Sequence, residues 1–198
     1  ILSKILGKKV ISRSNSSPRG WSKNIFKNLI FKIVLNVADQ VIVNSYDFKK
    51  DIDKTFKINS LCIYNPLNKN EIYKQGNKKL NFKLFKKKKS LKIINVGRFV
   101  DQKDQLTILQ AINLIKNDIP IELVLIGRGI NKAIIDGYIR ENNLSKIVRL
   151  INFQQNPFNY IKKSDVFVLS STFEGLPNVL LEAQCLKKFI ISTDCPNG

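Results

Sequence analysis

The chain has 198 residues, of which 43% are hydrophobic and 9% aromatic, and its formal net charge is +19. This apolar content excludes a disordered chain and is enough for one sizeable core, or for one domain and part of another. Lysines are spread over most segments, which favours a general compositional bias, and attraction to an anionic membrane is the main alternative.

The first 65 residues predict an incomplete α/β unit. Short β-branched runs at 8–14 and 40–45 predict two strands, and the helix predicted between them has an apolar stripe at helical spacing. The stripe consists of Phe26, Leu29, Ile30, Ile33, Val34 and Val37. Such a stripe usually packs on a sheet, which is the expectation here. Together with Trp21 and the nearby lysines it could instead lie on a membrane surface.

A hinge and a basic linker are predicted over residues 66–90. Asn65 precedes Pro66, which favours an extended exit from the first unit rather than more helix. The segment 78–90, "KKLNFKLFKKKKS", is the densest basic stretch of the chain and is interpreted as a solvated linker.

From residue 91 the chain alternates between short β-branched runs and segments with helical periodicity. Strands are predicted at 91–96, 121–127, 147–153, 165–171 and 189–193. Helices are predicted at 104–117, 131–142 and 157–163, and after Pro177. This alternation is typical of βαβ units, so the sequence predicts a doubly wound α/β domain with a parallel sheet.

The cysteines argue against a disulfide framework or a zinc site. Cys62, Cys185 and Cys195 show no paired spacing, which fits a reducing cytoplasm. No apolar run approaches the roughly 20 residues that span a bilayer. The chain contains no methionine, and we interpret it as an internal part of a longer protein.

The loop "VGRFVDQKD" directly follows the strand predicted at 91–96. Gly97 allows a sharp turn or a close approach of the backbone to a ligand. Arg98 and Lys103 could bring a forked and a point-like positive charge to one anionic group. Loop cations are more often simply solvated, so this loop alone is a weak indication of a site.

The loop "IGRGINKA" contains a glycine-x-glycine turn between a strand and a helix. It lacks the third glycine of a dinucleotide-binding fingerprint, because position 132 is lysine. Two interpretations of Gly127 remain equally open: it allows a tight turn between strand and helix, or it contacts the phosphate or base of a ligand.

The stretch "SSTFEGLPNVLLEA" places two carboxylates around a helix start. Pro177 stands where a first helical residue is favoured, so Glu174 and Gly175 lie in the loop before it. Glu182 falls inside the helix, one turn beyond Asn178 and on the same side. Free N–H groups at a helix start attract anions, while carboxylates accept hydrogen bonds from hydroxyls. A ligand that carries phosphates and hydroxyls, such as a nucleotide sugar, would bind to the N–H groups and to the carboxylates.

Four motifs in order carry a resemblance to a known family. "GRFVDQK", "LIGRG", "DVFVLSSTFEGLPNVLLEA" and "ISTDCPNG" resemble the successive motifs of glycosyltransferase family 4, whose members are retaining enzymes with the GT-B fold of two Rossmann-like domains. The two glutamates at 174 and 182 match the hallmark of that family. The resemblance covers residues 8–198. It implies the end of the N-terminal acceptor domain at 1–65, the linker, and a donor-binding domain at 91–198 that is truncated at its C-terminus.

The resemblance also implies roles for individual residues. Arg98 and Lys103 would hold the donor diphosphate and stabilise the departing charge, Glu182 would bind the ribose hydroxyls, and Glu174 would lie near the donor sugar. Further donor contacts are implied for Gly97, Gly127, Phe153, Phe173, Gly175, Leu176, Pro177 and Asn178. No metal or other cofactor is expected, because the two cations make a divalent ion unnecessary. Histidine is absent from the chain.

The sequence departs from the family pattern at four positions. The family often has glycine where Asp104 and Asn152 stand, which leaves the shape of those loops in doubt. Lys187 and Phe189 replace the usual helix-ending glycine and the proline that follows it, at some cost to helix termination. This last departure is expected to lie away from the ligand.

The expected function is sugar transfer from a nucleotide diphosphate sugar, UDP-linked by preference, to a glycan or lipid-linked glycan. The resemblance is strongest to bacterial enzymes of surface polysaccharide synthesis, such as capsule or lipopolysaccharide. We expect a cytoplasmic protein, peripheral contact with the inner face of an anionic membrane, no nucleic-acid partner, and no transfer by this chain alone.

Other functions are alternatives. One is another GT-B nucleotide-sugar enzyme, such as an epimerase, and another is a non-enzymatic nucleotide-binding or basic nucleic-acid-binding module. A glycoside hydrolase would not need Arg98 and Lys103, and a dinucleotide oxidoreductase would need a complete glycine fingerprint.

Overall fold

The computed structural model describes residues 2–15 and 25–195. Their contacts form two compact units. The N-terminal unit contains the described residues up to Pro66, Phe173–Pro177 and the residues from Asp194, and the C-terminal unit contains Leu67–Thr172 and Asn178–Thr193. Trp21 lies outside the described residues.

The N-terminal unit is a small arrangement of helices and a parallel sheet. Its elements are α1 (Leu2–Ile5), β1 (Ile11–Ser14), α2 (Ile25–Val37), β2 (Gln40–Val43), α3 (Tyr46–Phe56) and β3 (Leu61–Cys62). The strands pair in the order β1-β2-β3. Ser45 caps α3 by accepting a hydrogen bond from the N–H of Phe48 at 3.2 Å. The core of the unit is formed by Leu35, Val41, Val43, Phe48, Ile52 and Phe56.

The apolar stripe of α2 is not packed on this sheet as expected. Leu35 is buried, but five of the six predicted stripe residues are exposed, namely Phe26, Leu29, Ile30, Ile33 and Val34. The physical reason is size, because three strands of two to four residues are too narrow to cover a helix of 13 residues. Among the helices described, none is both long enough and apolar enough to cross a membrane.

The C-terminal unit alternates between strands and helices from β4 onward. Its helices are α4 (Lys69–Gly76), α5 (Gln105–Ile115), α6 (Lys132–Glu141), α7 (Phe158–Ile161) and α8 (Asn178–Cys185). Its strands are β4 (Leu91–Val96), β5 (Ile121–Gly127), β6 (Val148–Asn152), β7 (Val166–Leu169) and β8 (Phe189–Ser192). All five strands are parallel, in the order β6-β5-β4-β7-β8, which confirms the predicted doubly wound sheet.

This sheet is covered on both faces. Every residue of β5 is buried, including Glu122, as expected for a mostly apolar run in a parallel sheet. One face packs on α5 and α6, and the other on α4, α7 and α8. The direction of winding reverses between β4 and β7, which are neighbours in the sheet but far apart in the chain. Ligands of such sheets bind beyond the carboxyl ends of the strands at this reversal.

The lysine-rich segment 78–90 is not the solvated linker that its composition predicts. Leu84 and Phe85 are buried in the core of the C-terminal unit, while Lys86 and Lys87 donate their backbone N–H groups to the Glu122 carboxylate, each at 2.7 Å. Burial tends to raise the pKa of Glu122, but these hydrogen bonds hold it below its ordinary value. The segment is therefore anchored by its backbone, and the lysine side chains at 86–89 stay exposed.

At two of the positions where the chain departs from the family pattern, the backbone conformation explains why the family has glycine. Asp104, with φ of +40°, and Lys187, with φ of +56°, adopt the left-handed conformation that glycine enters without strain. A residue with a side chain is destabilised by roughly 1–2 kcal/mol there, so the φ of Lys187 supports the cost expected at the end of α8, which stays a prediction. Asp104 offsets part of its cost by capping α5, because its carboxylate accepts hydrogen bonds from the N–H and the hydroxyl of Thr107. Asn152 is the last residue of β6, in extended backbone.

Candidate functional site

A cavity of about 520 Å³ lies at the carboxyl ends of β4, β5 and β6 in the C-terminal unit. Its volume is that of a small-molecule site. It is lined by Val96, Gly97, Arg98, Ile126, Gly127, Arg128, Phe153, Gln154, Gln155, Pro157, Phe158 and Glu182. The structure thus brings together five predicted residues from four separate segments: Gly97, Arg98, Gly127, Phe153 and Glu182. Their individual roles stay predictions.

The floor of the cavity is made by two loops that touch backbone to backbone. The N–H of Gly97 donates to the carbonyl of Ile126 at 3.0 Å, and the N–H of Phe99 donates to that of Arg128 at 2.9 Å. A Cβ on Gly127 would lie 1.9 Å from the carbonyl oxygen of Gly97, a distance that real side chains do not reach. The glycine-x-glycine turn is therefore a tight packing turn, and its Gly127 also lines the cavity.

Positive charge is concentrated at the rim of this cavity. Arg98 is exposed, and among the residues that the structure describes its guanidinium has only a long contact, 3.4 Å, to the side-chain oxygen of Gln102. The half-buried Lys103 side chain runs beside Gly97, since its Cγ and Cδ lie 3.8 Å from the position of a Cβ on that glycine. Lys103 is not among the lining residues of the described cavity, but its stem places it next to the residue that precedes Arg98.

Arg128 and Phe153 form a planar pair at the wall of the cavity. The guanidinium carbon of Arg128 lies 4.9 Å from the centre of the Phe153 ring, within cation–π range. Both groups are exposed and flat, so a third planar group could stack on them. The sequence analysis did not select Arg128, although it is the middle residue of the glycine-x-glycine turn, nor Gln154, Gln155, Pro157 and Phe158.

The carboxylate of Glu182 is the acidic group of the cavity. It is half-buried on α8, and within the described residues it has no hydrogen-bond or ion-pair partner. Burial raises the pKa of this carboxyl above its ordinary value. A desolvated carboxylate without a cation beside it is suited to accept hydrogen bonds from neutral donors, such as ligand hydroxyls. Asn178 stands one turn earlier on α8 and is exposed.

The remaining predicted residues belong to the segment 173–177, which groups with the N-terminal unit. Glu174 is buried there, with 6% of its surface exposed. A Cβ on Gly175 would lie 2.7 Å from the carbonyl oxygen of Asn15 and 2.9 Å from Oδ1 of Asn44, so glycine is needed for this approach. Phe173, Glu174, Gly175, Leu176 and Pro177 are not among the lining residues of the described cavity.

Comparisons with known proteins agree with this fold. Residues 76–198 match the family described as Glycosyl transferases group 1. The chain is 31% identical over 193 residues to an uncharacterized glycosyltransferase of Methanocaldococcus jannaschii, covering 93% of this chain and 47% of that protein. It is 29% identical over 208 residues to the N-acetylgalactosamine-N,N'-diacetylbacillosaminyl-diphospho-undecaprenol 4-alpha-N-acetylgalactosaminyltransferase of Campylobacter jejuni, covering 100% of this chain and 55% of that protein.

The chain spans about half the length of these curated relatives. Its fold is similar to that of a TarM variant of S. aureus in complex with fondaparinux, alpha-GlcNAc-glycerol and UDP, with a TM-score of 0.79 and 19% identity over 100% of this chain and 40% of that one. It is also similar to HepE of Anabaena in complex with UDP-glucose, with a TM-score of 0.77 and 16% identity over 98% of this chain and 56% of that one. The predicted GT-B architecture is thus confirmed. The chain belongs to the group 1 glycosyl transferases.

Proposed function

We propose that the intact protein is a retaining glycosyltransferase that moves a sugar from a UDP-linked donor to a glycan or lipid-linked glycan of a surface polysaccharide. The observation that carries this proposal is the cavity at the strand ends, in which the Arg98 guanidinium and the unpaired carboxylate of Glu182 face one space. A ligand that carries both phosphates and hydroxyls is complementary to that combination.

The donor would occupy the cavity with its three chemical parts on three walls. The base would stack at the planar pair of Arg128 and Phe153, and the ribose hydroxyls would donate to Glu182. The diphosphate would lie beside Arg98 and Lys103. Departure of the nucleoside diphosphate leaves negative charge on its terminal phosphate, and fixed cations stabilise such charge most strongly where it develops. Retention would require the acceptor to attack from the face that the diphosphate leaves.

The acceptor class is inferred from relatives. The name of the Campylobacter jejuni relative specifies a diphospho-undecaprenol acceptor. The TarM complex contains alpha-GlcNAc-glycerol and UDP, and the HepE complex contains UDP-glucose. These ligands support a UDP-sugar donor and a glycan or lipid-linked acceptor for this protein as well.

Ligand-dependent melting tests the donor proposal. UDP at saturating concentration should raise the melting temperature, because a ligand that binds only the folded state stabilises it in proportion to RT ln(1 + [L]/Kd). NAD and single-stranded DNA should leave it unchanged. A shift with NAD or DNA and none with UDP would support a dinucleotide enzyme or a nucleic-acid-binding module instead. Hydrolysis or epimerisation of a UDP-sugar without transfer would support another GT-B enzyme.

Donor binding should weaken as the pH falls through the raised pKa of Glu182. Hydroxyl donors favour the ionised carboxylate, so the bound form has the lower pKa, affinity is full above the pKa of the free protein, and it declines below that pKa. UDP-glucose is the suitable ligand for calorimetry between about pH 7 and pH 4.5, because its diphosphate lacks the terminal-phosphate ionisation near pH 6.

The Glu182→Gln variant is the control for this titration. It should bind UDP-glucose about 3–10-fold more weakly at neutral pH, the loss of one hydrogen bond to a charged acceptor, and its affinity should not depend on pH. An equal pH dependence in both proteins would show that another group titrates.

Glu174→Ala is expected to lower turnover instead of affinity.

We also propose that transfer does not need a divalent metal. Arg98 and Lys103 would supply the positive charge that Mg²⁺ or Mn²⁺ supplies to the diphosphate in other enzymes. Sugar transfer should therefore be unchanged by EDTA. Loss of activity in EDTA that magnesium or manganese restores would contradict this expectation.

The protein is proposed to act in the cytoplasm at the inner face of an anionic membrane. Two features of the chain favour such binding. The exposed apolar side chains of α2 could bury apolar area in the membrane, and the net charge of +19 attracts anionic lipids. Binding to phosphatidylglycerol vesicles should exceed binding to phosphatidylcholine vesicles. The double substitution Ile30→Ser with Val34→Ser should reduce it. Leu114→Ser, at an apolar residue of α5 that is 80% exposed, should not. Equal loss in both variants would exclude α2 as the contact.

A further inference from the structure

The strands β4 and β7 separate toward their carboxyl ends. They pair only at Ile93 with Val166 and at Ile94 with Phe167, although β4 continues to Val96 and β7 to Leu169. The next connection is made by a side chain, because Nδ2 of the buried Asn95 donates to the carbonyl of Val168 at 2.8 Å. The loops that follow these strands are therefore held by individual hydrogen bonds instead of by strand pairing.

Three successive backbone carbonyls of the loop after β4 are held from the end of β7. The hydroxyl of Ser170 lies 2.8 Å from the carbonyl oxygen of Lys103 and 2.7 Å from that of Asp104. The N–H of Thr172 donates to the carbonyl of Gln102 at 2.9 Å. Ser170 is buried, with 4% of its surface exposed, so its hydroxyl proton is shared between two acceptors away from water.

The backbone held in this way is strained. Asp104 has φ of +40°, an unfavourable conformation for any residue with a side chain, and it follows a 3-10 turn at Asp101–Lys103. Strained backbone persists only where the surroundings hold it in place. Ser170 makes its hydrogen bonds at the junction between the turn and Asp104, and the direction of the Lys103 side chain depends on that junction.

We propose that Ser170 is a positioning residue for Lys103. Its hydroxyl fixes the turn at Lys103 and Asp104, and the lysine ammonium is thereby held at the diphosphate, while Ser170 itself does not contact the donor. This rests on the proposed function, because it takes Lys103 as a ligand of the leaving diphosphate. Its effect belongs to the transition state, in which charge accumulates beside Lys103.

Ser164 provides a matched control at the other end of β7. It is as buried as Ser170, with 2% exposed, and its hydroxyl also donates to a backbone carbonyl, that of Ile161 at 2.8 Å. Ser164→Ala therefore removes the same kind of hydrogen bond without touching the loop after β4. In the intact protein, Ser170→Ala should lower kcat by roughly tenfold or more, with the KM for donor changed less than about twofold. Ser164→Ala should lower only the melting temperature.

A double-mutant cycle tests whether Ser170 acts through Lys103. In a Lys103→Ala background, Ser170→Ala should lower kcat by less than about twofold, because its target is already absent. A full tenfold loss in that background, or a loss of melting temperature alone as in Ser164→Ala, would overturn the proposal. Ser170→Cys serves the same comparison if the alanine variant does not fold.

Hydrogen exchange separates this proposal from the proposed function. The amides of Lys103 and Asp104 donate to the carbonyls of Val100 and Asp101, and their exchange needs no donor sugar. Ser170→Ala should accelerate their exchange in the free protein, and Ser164→Ala should not. Faster exchange with no UDP-sugar turnover by the unmodified protein would refute the transferase but retain the positioning of the loop. Unchanged exchange would refute the positioning.

Discussion

Replacing Arg98 or Lys103 by alanine in the intact protein should lower kcat at saturating donor by roughly a hundredfold or more, the effect of removing a preorganised group that stabilises developing charge. Arg98 lines the cavity, and the Lys103 stem lies beside Gly97 on the same loop. If both neutralise the departing diphosphate, they interact more strongly with the transition state than with the bound donor, so turnover falls more than affinity.

Three further variants define the mechanism of this loss. Arg98→Lys should restore activity only in part, because a point charge does not reproduce a forked contact with phosphate. The double alanine variant should be little worse than the worse single one, because groups that act as a unit are not additive. Arg140→Ala, at an exposed arginine of α6 paired with Asp136, should leave kcat unchanged. If both single variants kept a near-normal kcat and showed only a raised KM, the two residues would bind the donor without stabilising the leaving diphosphate.

Gly127→Ala is expected to destabilise the C-terminal unit by about 3 kcal/mol or more, at the upper end of the range for overpacked cores. The added methyl group would stand 1.9 Å from the carbonyl oxygen of Gly97 and 3.0 Å from a ring carbon of Phe99. The first neighbour is backbone, held in place by the hydrogen bond from Gly97 to Ile126, so no side-chain rotation can make room. The ends of β4 and β5 would have to move apart, and UDP binding should be lost with them.

Gly137→Ala is the control for this substitution. Gly137 lies in α6, where the nearest atom to an added Cβ is a flexible carboxylate oxygen of Glu141 at 3.9 Å. Alanine there should stabilise the protein by about 0.5–1 kcal/mol, because glycine is a poor helix former. Urea denaturation of both variants measures the difference. A Gly127 variant as stable as the unmodified protein would show that the loops can separate freely.

The C-terminal sheet could be predicted from the sequence because its strands are short, mostly apolar runs. The bounds of β4 and β5 match the runs at 91–96 and 121–127, in which Lys92, Asn95 and Glu122 interrupt the apolar residues without ending the strands. The packing of Leu84 and Phe85 could not be predicted, because the lysines around them dominate the composition of that segment. The two-residue strand β3 was also missed, being too short for any period to show.

The candidate site could be predicted in part, for a topological reason. Residues that follow parallel strands meet at one edge of the sheet, which brings Arg98 and Gly127 to one cavity without any knowledge of side-chain contacts, whereas Phe153 is expected there only from the family resemblance. The pair of Arg128 and Phe153 could not be predicted, because it depends on the register that places Gly127 opposite Asn152. The hydrogen bonds of Ser170 could not be predicted either, because they depend on where the end of β7 lies relative to the loop that follows β4.

The backbone contact between Gly97 and Gly127 also limits how donor preference can diverge. A side chain at Gly127 would collide with the backbone of Gly97, so this position cannot vary without moving the Gly97 loop, whereas a Cβ on Gly97 would meet its nearest neighbours only at 3.8 Å. The opposite wall has no such restriction, because residues 153–155 present side chains that are exposed or half-buried. A directed library that aims at another nucleotide should therefore randomise 153–155 and keep Gly127, since new specificity is accessible there at little loss of folded protein.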